Sequence, residues 1–274
     1  MGNRAWQGAR ALTALTTCLL CRAQIPDTAA VPPPAPAPLY KLVFNDEFNS
    51  LDLSPDGSGV HTWYKDVWFN HVPAPLADIS ASNSVLTLAW LTNQSSFDTS
   101  ITTLSGDRRQ AHAWQYGYFE ARMKWDVVKG AWPAFWLIPV EDAQGRDTYN
   151  GVKESGEIDI FEGQGDQPTT YFGSIHDWVN LKGTSNADNH FPLPSGFDFS
   201  QFHSYGLLWE PGKVTWYLDD RALHSESTYA IFDKQHFFMV LSMKEGANWK
   251  EGDTTGVTAQ QMTLQVDWVR VWQK

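Results

Sequence analysis

Hydrophobic and polar residues alternate with a period of two along much of the chain after residue 39. This alternation is typical of β-strands that bury one face. It begins at Tyr40, Leu42 and Phe44, which share one parity and mark the predicted start of the folded domain. Further strands are predicted by alternation, or by aromatic and β-branched content, at residues 85–90, 118–125, 214–219, 237–242 and 264–272.

Turn residues separate these segments, and helical periodicity is almost absent. At most one or two helical turns are predicted, near residues 230–235. Many antiparallel strands in a domain of this size form a sandwich or a barrel. The sequence therefore predicts an all-β fold for a single domain that spans residues 39–274.

The first 23 residues have the composition of an export signal. Arg4 and Arg10 precede a short apolar run at residues 11–20, and a small-x-Ala pattern follows it. The run is too short to span a bilayer, so no permanent membrane anchor is expected. We predict cleavage near Gln24 and a secreted protein, extracellular or periplasmic, while a lipid on Cys18 or Cys21 remains an alternative.

Residues 24–38 carry six prolines among alanines, a composition that favours extended polyproline II and cannot form a packed core. We interpret them as a linker. Both cysteines of the chain, Cys18 and Cys21, lie in the predicted signal peptide. The mature protein is therefore predicted to lack disulfides and thiol chemistry.

Composition and charge narrow the range of partners. The chain of 274 residues is 42% hydrophobic, which is enough for a large core, and its formal net charge is −11. That charge disfavours nucleic acid, anionic membrane surfaces and polyanionic glycans. Fourteen tryptophans are many, and indole faces stack on sugar rings, although most are expected in the core. We expect a monomer that binds a polysaccharide.

The candidate chemistry lies at residues 156–163, where three carboxylates are interleaved with apolar residues. In a strand, Glu157 and Asp159 share one face while Ile158 and Ile160 point into the core. Glu162 falls on the wrong face unless one extra residue, a β-bulge, is inserted before it. Bulges often lie beside active sites because they re-aim a side chain.

With the bulge, Glu157 and Glu162 are four strand positions apart, or about 13 Å between Cα atoms. Two long side chains that lean together can approach the ~5 to 5.5 Å separation of a retaining glycosidase. Crowded carboxylates raise the pKa of at least one of them, as a general acid requires. A solvated acidic strand face and a structural calcium site are the alternatives.

At these residues the sequence resembles glycoside hydrolase family 16, in the laminarinase-like branch with the bulged motif Glu-x-Asp-x-x-Glu. Other segments resemble landmarks of the same family: Phe-Asn-Asp-Glu-Phe at 44–48, Tyr-Gly-Tyr-Phe-Glu-Ala-Arg at 116–122, Gly-Ala-Trp-Pro-Ala-Phe-Trp at 130–136, Phe-His-Ser-Tyr at 202–205 and Val-Asp-Trp-Val-Arg-Val-Trp at 266–272. The resemblance implies a β-jelly-roll sandwich of two curved antiparallel sheets with a concave substrate cleft. It also implies endo-acting hydrolysis of β-1,3 or mixed β-1,3/1,4 glucan linkages with retention. By position in the motif, Glu157 would be the nucleophile and Glu162 the acid/base, with Asp159 tuning both.

Several residues outside the motif are candidates for substrate binding. Trp132 and Trp136 share parity, so in a strand both indoles point the same way, and the resemblance places them in the cleft. Core packing is the alternative for each. His176 matches a family histidine near the cleaved sugar, with a buried structural histidine as the alternative, and Trp249 resembles a residue of the loop that closes the cleft.

No cofactor is required by this chemistry. The resemblance allows a structural calcium ion far from the cleft, held by Asp267 and possibly Glu47, and a simple surface carboxylate is the alternative. No Gly-x-Ser-x-Gly, His-Glu-x-x-His or P-loop motif is present. Three other functions stay open: a transglycosylase, an agarase-like galactanase, and a glycan-binding protein without catalysis.

Overall fold

The computed structural model describes residues 36–65, 75–91, 98–180, 182–185, 189–247, 250–251 and 255–274. The described strands are β1 Lys41–Asp46, β2 Leu53–Ser54, β3 Trp63–Tyr64, β4 Ile79–Ser82, β5 Val85–Leu91, β6 Asp98–Thr102, β7 Ala113–Trp114, β8 Gly117–Trp125, β9 Ala131–Pro139, β10 Thr148–Tyr149, β11 Val152–Gly163, β12 Thr170–Val179, β13 Lys182–Ser185, β14 His190–Pro192, β15 His203–Glu210, β16 Lys213–Leu218, β17 Arg221–Ser227, β18 Phe237–Ala247, β19 Lys250–Glu251 and β20 Gln261–Gln273. One short α-helix, Val140–Ala143, and two 3-10 turns, Leu76–Asp78 and Ala230–Lys234, complete the described elements. The all-β prediction is confirmed, and each of the five predicted strand segments lies in or overlaps one of these strands.

The strands form two sheets. The first has the order β17-β16-β15-β8-β20-β5-β4, with β1 also paired to β20. The second has the order β13-β12-β11-β9-β18-β6-β3-β2, with the short strands β7, β10, β14 and β19 paired at its margins. All described pairings are antiparallel except that of β2 with β3. This arrangement is the β-jelly-roll sandwich that the family resemblance implied.

The main core lies between the two sheets. Alternate residues of β9, namely Ala131, Phe135 and Leu137, point into it from the second sheet. Ala134, Trp136 and Ile138 point to the opposite side and form a second apolar cluster with Phe238 and Val240 of β18. The second sheet therefore has two buried faces, and the outer one carries the candidate site.

One early alternation prediction needs a correction, at the start of the domain. Tyr40, Leu42 and Phe44 were expected on one face, but Leu42 pairs with Trp272 and Phe44 with the adjacent Val271, so Val43 is an extra residue. Tyr40 and Leu42 consequently pack on the outer face of the first sheet, whereas Phe44 enters the main core. The reason is a bulge, which shifts side-chain parity by one.

The predicted signal peptide, residues 1–23, lies outside the described residues, as does the predicted linker up to residue 35. Ala37, near the end of that linker, is 2% exposed and its carbonyl accepts a hydrogen bond from the Tyr40 N–H. The packed part of the chain therefore includes Ala37. Among the described residues, the helices are too short to cross a membrane.

Candidate active site

Strand β11, which carries the three motif carboxylates, contains the predicted bulge. Asp159 pairs with Ser174 of β12 and Glu162 with Phe172, so three steps on β11 oppose two on β12. The same single-residue shift occurs on the other side, against β9. Ile160 and Phe161 are therefore both buried in the core although they are consecutive. Glu157, Asp159 and Glu162 consequently lie on one face.

These carboxylates line a cavity of about 430 Å³ on the outer face of the second sheet. Its other walls come from the three neighbouring strands β9, β12 and β18. The lining residues are Trp132, Ala134, Trp136, Glu157, Asp159, Glu162, His176, Trp178 and Lys244. Four antiparallel strands thus contribute side chains of one parity to the same cleft.

Each glutamate accepts a hydrogen bond from a tryptophan. The Trp132 indole N–H donates to Glu162 Oε1 at 2.9 Å, and the Trp178 indole N–H donates to Glu157 Oε2 at 2.6 Å. Both bonds favour the ionised carboxylate and restrict its rotation. The two glutamates are thus held at opposite ends of the carboxylate row.

Asp159 lies between them and is 3% exposed. Its Oδ2 accepts hydrogen bonds from the Ser174 hydroxyl and from His176 Nε2, both at 2.9 Å. His176 also stacks on Trp178, with ring centroids 5.6 Å apart. His176 is directly opposite Glu157 in the ladder, so the partly buried pair of His176 and Asp159 lies beside the nucleophile candidate.

The electrostatics of the cleft raise the pKa of both glutamates. Burial, and next the charge of Asp159, raise the pKa of Glu157 to about 7, although His176, Trp178 and Lys244 oppose this. Burial and Asp159 likewise raise the pKa of Glu162 to about 8, against the Trp132 hydrogen bond. Both groups therefore change protonation state near neutral pH, where acid/base catalysis is most effective.

The pKa of His176 is governed by opposing effects. Burial would lower it, but the hydrogen bond to Asp159 and the surrounding carboxylates outweigh burial and raise the pKa to about 9. His176 is therefore an imidazolium at neutral pH, and its Nε2–H donates a hydrogen bond to Asp159 Oδ2. One positive charge thus compensates part of the carboxylate row.

Lys244 of β18 supplies a second positive charge. Its Nζ lies 5.3 Å from the Trp132 ring centroid and 5.4 Å from that of Trp136. Cations at this distance interact favourably with the ring faces. The charge also lowers the pKa of both Glu157 and Glu162. The Lys244 ammonium group therefore interacts both with the two indole rings and with the two glutamates.

The structure brings most of the predicted site residues together. The motif carboxylates, His176 and the two tryptophans all line the cleft. Trp136 is only 6% exposed and packs in the apolar cluster of that face, so it serves both as cleft wall and as core. Trp132 is more exposed. Trp249 lies outside the described residues.

Each of the two predicted calcium ligands forms an ion pair with an arginine. Asp267 Oδ2 lies 2.5 Å from an Arg122 guanidinium nitrogen, and Glu47 accepts hydrogen bonds of 2.6 and 3.0 Å from Arg270. A guanidinium compensates the negative charge of each carboxylate. Calcium binding by Asp267 and Glu47 stays a prediction. Among the described residues, one group has the spacing of metal ligands, Glu157, Asp159 and His176, and it belongs to the cleft.

Sequence reasoning missed Trp178 and Lys244. Trp178 has a detectable signal, because it lies two positions after His176 and hence on the same face of β12. Lys244 has no local signal. It faces the cleft because it pairs with Trp132, and that register follows only from the assembled sheet.

The comparisons with known proteins agree with this geometry. The family model described as glycosyl hydrolases family 16 matches residues 76–270. A glucan endo-1,3-β-glucosidase of Cryptopygus antarcticus is 34% identical over 181 residues, which cover 58% of this chain and 63% of that protein. A β-glucanase of Rhodothermus marinus is 27% identical over 258 residues, 86% of each chain.

Among solved structures, the catalytic domain of an endo-1,3-β-glucanase (laminarinase) from Thermotoga petrophila superposes with a TM-score of 0.67. The match covers 86% of this chain and 98% of that one at 23% identity, and it bears on the fold alone. The chain spans less than two thirds of the Cryptopygus relative.

Proposed function

Because this chain belongs to glycosyl hydrolase family 16, we propose that it is a secreted, endo-acting enzyme that hydrolyses internal β-1,3 or mixed β-1,3/1,4 linkages of a neutral glucan with retention of configuration. The observation that carries the proposal is the bulge in β11. It brings Glu157, Asp159 and Glu162 onto one face, inside a cleft walled by indoles. Carboxylates crowded on one strand face repel each other and lower stability, so such a row indicates a functional site.

In the first step of the proposed mechanism, the Glu157 carboxylate attacks the anomeric carbon. The glycosidic C–O bond breaks, its electron pair stays on the departing oxygen, and Glu162 gives that oxygen its proton. The result is a glycosyl ester of Glu157 and a carboxylate at Glu162. The distance of four strand positions between the two residues fits a sugar held between them.

In the second step, a water molecule attacks the anomeric carbon while the Glu162 carboxylate takes one of its protons. The ester C–O bond breaks and Glu157 leaves as a carboxylate. Two inversions restore the original β configuration. No group beyond these two glutamates and water is needed to balance the reaction.

The assignment of roles is supported by the surroundings of each glutamate. Burial and the charge of Asp159 raise the pKa of both glutamates, and the charge of Glu157 raises the pKa of Glu162 further, as an acid/base beside an ionised nucleophile requires. Once Glu157 is esterified, its negative charge disappears and the pKa of Glu162 falls, which prepares it to act as a base. Asp159 raises the pKa of both glutamates through its charge, and Ser174 and His176 hold it in place.

The substrate class is supported by the cleft walls and by the relatives. Indole faces bind the flat apolar faces of sugar rings, and the carboxylate row disfavours sulfated or uronic polymers. The two relatives described above are named as a glucan endo-1,3-β-glucosidase and a β-glucanase.

A panel of polysaccharides tests the proposal. The protein should release oligosaccharides from laminarin or lichenan faster than from agarose, carrageenan or a uronic polymer. Greater activity on a galactan would contradict the glucan assignment, and binding without product from any polymer would identify a glycan-binding protein. Transfer products that dominate over hydrolysis would identify a transglycosylase.

For secretion, mass spectrometry of exported protein should give an N-terminus near Gln24.

A further inference from the structure

The bulge in β11 is held by a residue of the opposite sheet. The Trp216 indole N–H, on β16, donates a hydrogen bond of 2.9 Å to the backbone carbonyl of Asp159. Trp216 is fully buried in the core between the sheets. The bond therefore crosses the sandwich and ends on the residue at which the register of β11 shifts.

A bulge interrupts the ladder and leaves backbone groups without their regular partners. A buried carbonyl without a partner is costly, so a bulge in a dry core is stable only where another donor satisfies it. Trp216 supplies that donor at Asp159. If the bulge were lost, the parity of the strand would revert and Glu162 would turn into the core.

Gly173 of β12 provides the space for this indole. A Cβ at Gly173 would lie 2.4 Å from Trp216 Nε1 and 2.7 Å from its Cδ1, closer than such atoms approach. Gly173 is adjacent to Ser174, which pairs with Asp159 in the ladder and donates to its carboxylate. The glycine therefore lets the indole edge reach the bulge directly behind the carboxylate row.

We propose that Trp216 is a positioning residue for the two glutamates: its indole N–H, seated against Gly173, fixes the β-bulge that aims Glu162 beside Glu157. This inference rests on the proposed glycosidase function for its kinetic consequence. Trp216 lies behind the sheet and does not reach the cleft, so it acts on the reaction only through the backbone of β11.

Trp216→Phe removes the donor, and Trp209→Phe is its matched control. Trp209 lies on β15, next to β16, and is as fully buried, but its indole N–H has no hydrogen-bond partner among the described residues. Both changes remove similar ring area, so both should lower Tm. At a temperature well below both Tm values, Trp216→Phe should lower kcat at least tenfold with KM within about twofold, while Trp209→Phe keeps kcat within about twofold.

A second variant isolates the N–H from the packing. Site-specific replacement of the Trp216 indole by benzothiophene keeps the ring shape and removes only the donor, so kcat should fall while Tm changes little. Equal kcat values for this variant and the wild type would overturn the proposal. So would equal losses of kcat in the Trp216→Phe and Trp209→Phe variants.

A titration separates this inference from the proposed function. In protein labelled with ¹³C at the glutamate carboxyl carbons, the Glu162 signal, assigned with Glu162→Gln, gives the pKa by NMR without any substrate. Trp216→Phe should move the Glu162 midpoint by at least half a unit, and Trp209→Phe should leave it in place. A moved midpoint in a protein that cleaves no polysaccharide would support the positioning role and refute the function. An unmoved Glu162 midpoint in Trp216→Phe, together with glucan cleavage by the wild type, would refute the positioning role and support the function.

Discussion

Glu162 and Trp132, thirty residues apart in the chain, are joined by a hydrogen bond of 2.9 Å from the indole N–H to Glu162 Oε1. The same indole forms a wall of the cleft and interacts with Lys244. One side chain thus has two functions in the proposed enzyme. Its ring face can bind a sugar, and its N–H stabilises the ionised carboxylate of Glu162, the proposed acid/base.

The first prediction separates these two functions. Trp132→Phe keeps a ring face but removes the donor that favours ionised Glu162, so the basic limb of the kcat/KM profile should move to higher pH. The expected shift is about one unit, since a hydrogen bond to a charged group contributes about 1.5 kcal/mol or more. Trp132→Ala should show the same shift and also raise KM.

Trp178→Phe is the matched control, because Trp178 donates to Glu157 instead. It should move the acidic limb and leave the basic limb in place. The assignment of the two limbs would be contradicted if both phenylalanine variants moved the same limb.

The second prediction concerns Lys244. Its charge lowers the pKa of Glu157 and of Glu162, so Lys244→Met should raise both pKa values and shift the whole pH profile of kcat/KM upward. Lys234→Met is the control, since Lys234 also lies over an aromatic ring, that of Tyr149, but is exposed and outside the cleft. A profile that stays in place would show that Lys244 is too well screened to influence the glutamates, and a downward shift would contradict the direction of its effect.

Local sequence was sufficient to predict β11 because its chemistry depends on neighbouring residues. The parity of Glu157, Asp159 and Glu162, and the need for one extra residue before Glu162, can be read from eight consecutive positions. The same reasoning failed at Val43, where an exposed valine in a bulge looks like an ordinary strand residue.

The missed features depend on pairs of residues that are distant in the chain. Trp216 meets Asp159 across 57 residues, and Arg270 meets Glu47 across 223. Lys244 enters the cleft only through its register with Trp132. Alternation gives the face of a strand but gives neither its neighbours nor its register, so these contacts could not be predicted.

The third prediction concerns stability. The folded state raises the pKa of Glu162 from its ordinary 4.5 to about 8, so it binds this proton more tightly than the unfolded chain does. Stability is therefore lost as pH rises from about 4.5 to about 8. Glu162→Gln removes this loss and keeps an acceptor for Trp132. Thermal denaturation should show a Tm gain of about 3 °C or more at pH 8 that shrinks toward pH 5. A gain that is equal at both values would contradict the raised pKa.

The fourth prediction assigns the two roles by azide rescue on an aryl β-glucoside with a good leaving group. Glu162→Ala should still form the glycosyl ester of Glu157, and azide should release a β-glycosyl azide. Glu157→Ala cannot form the ester, so azide should attack from the vacated side and give the α product. The opposite pairing would exchange the two roles.

The stereochemistry of hydrolysis by the unaltered protein tests the central claim most directly. Proton NMR of a β-1,3-glucan oligosaccharide during the first minutes of cleavage reports which anomer forms before mutarotation. The double displacement by Glu157 and Glu162 predicts that the β anomer appears first. An α anomer that appears first would show that water attacks directly, and neither the ester of Glu157 nor the role given to the β11 bulge would stand.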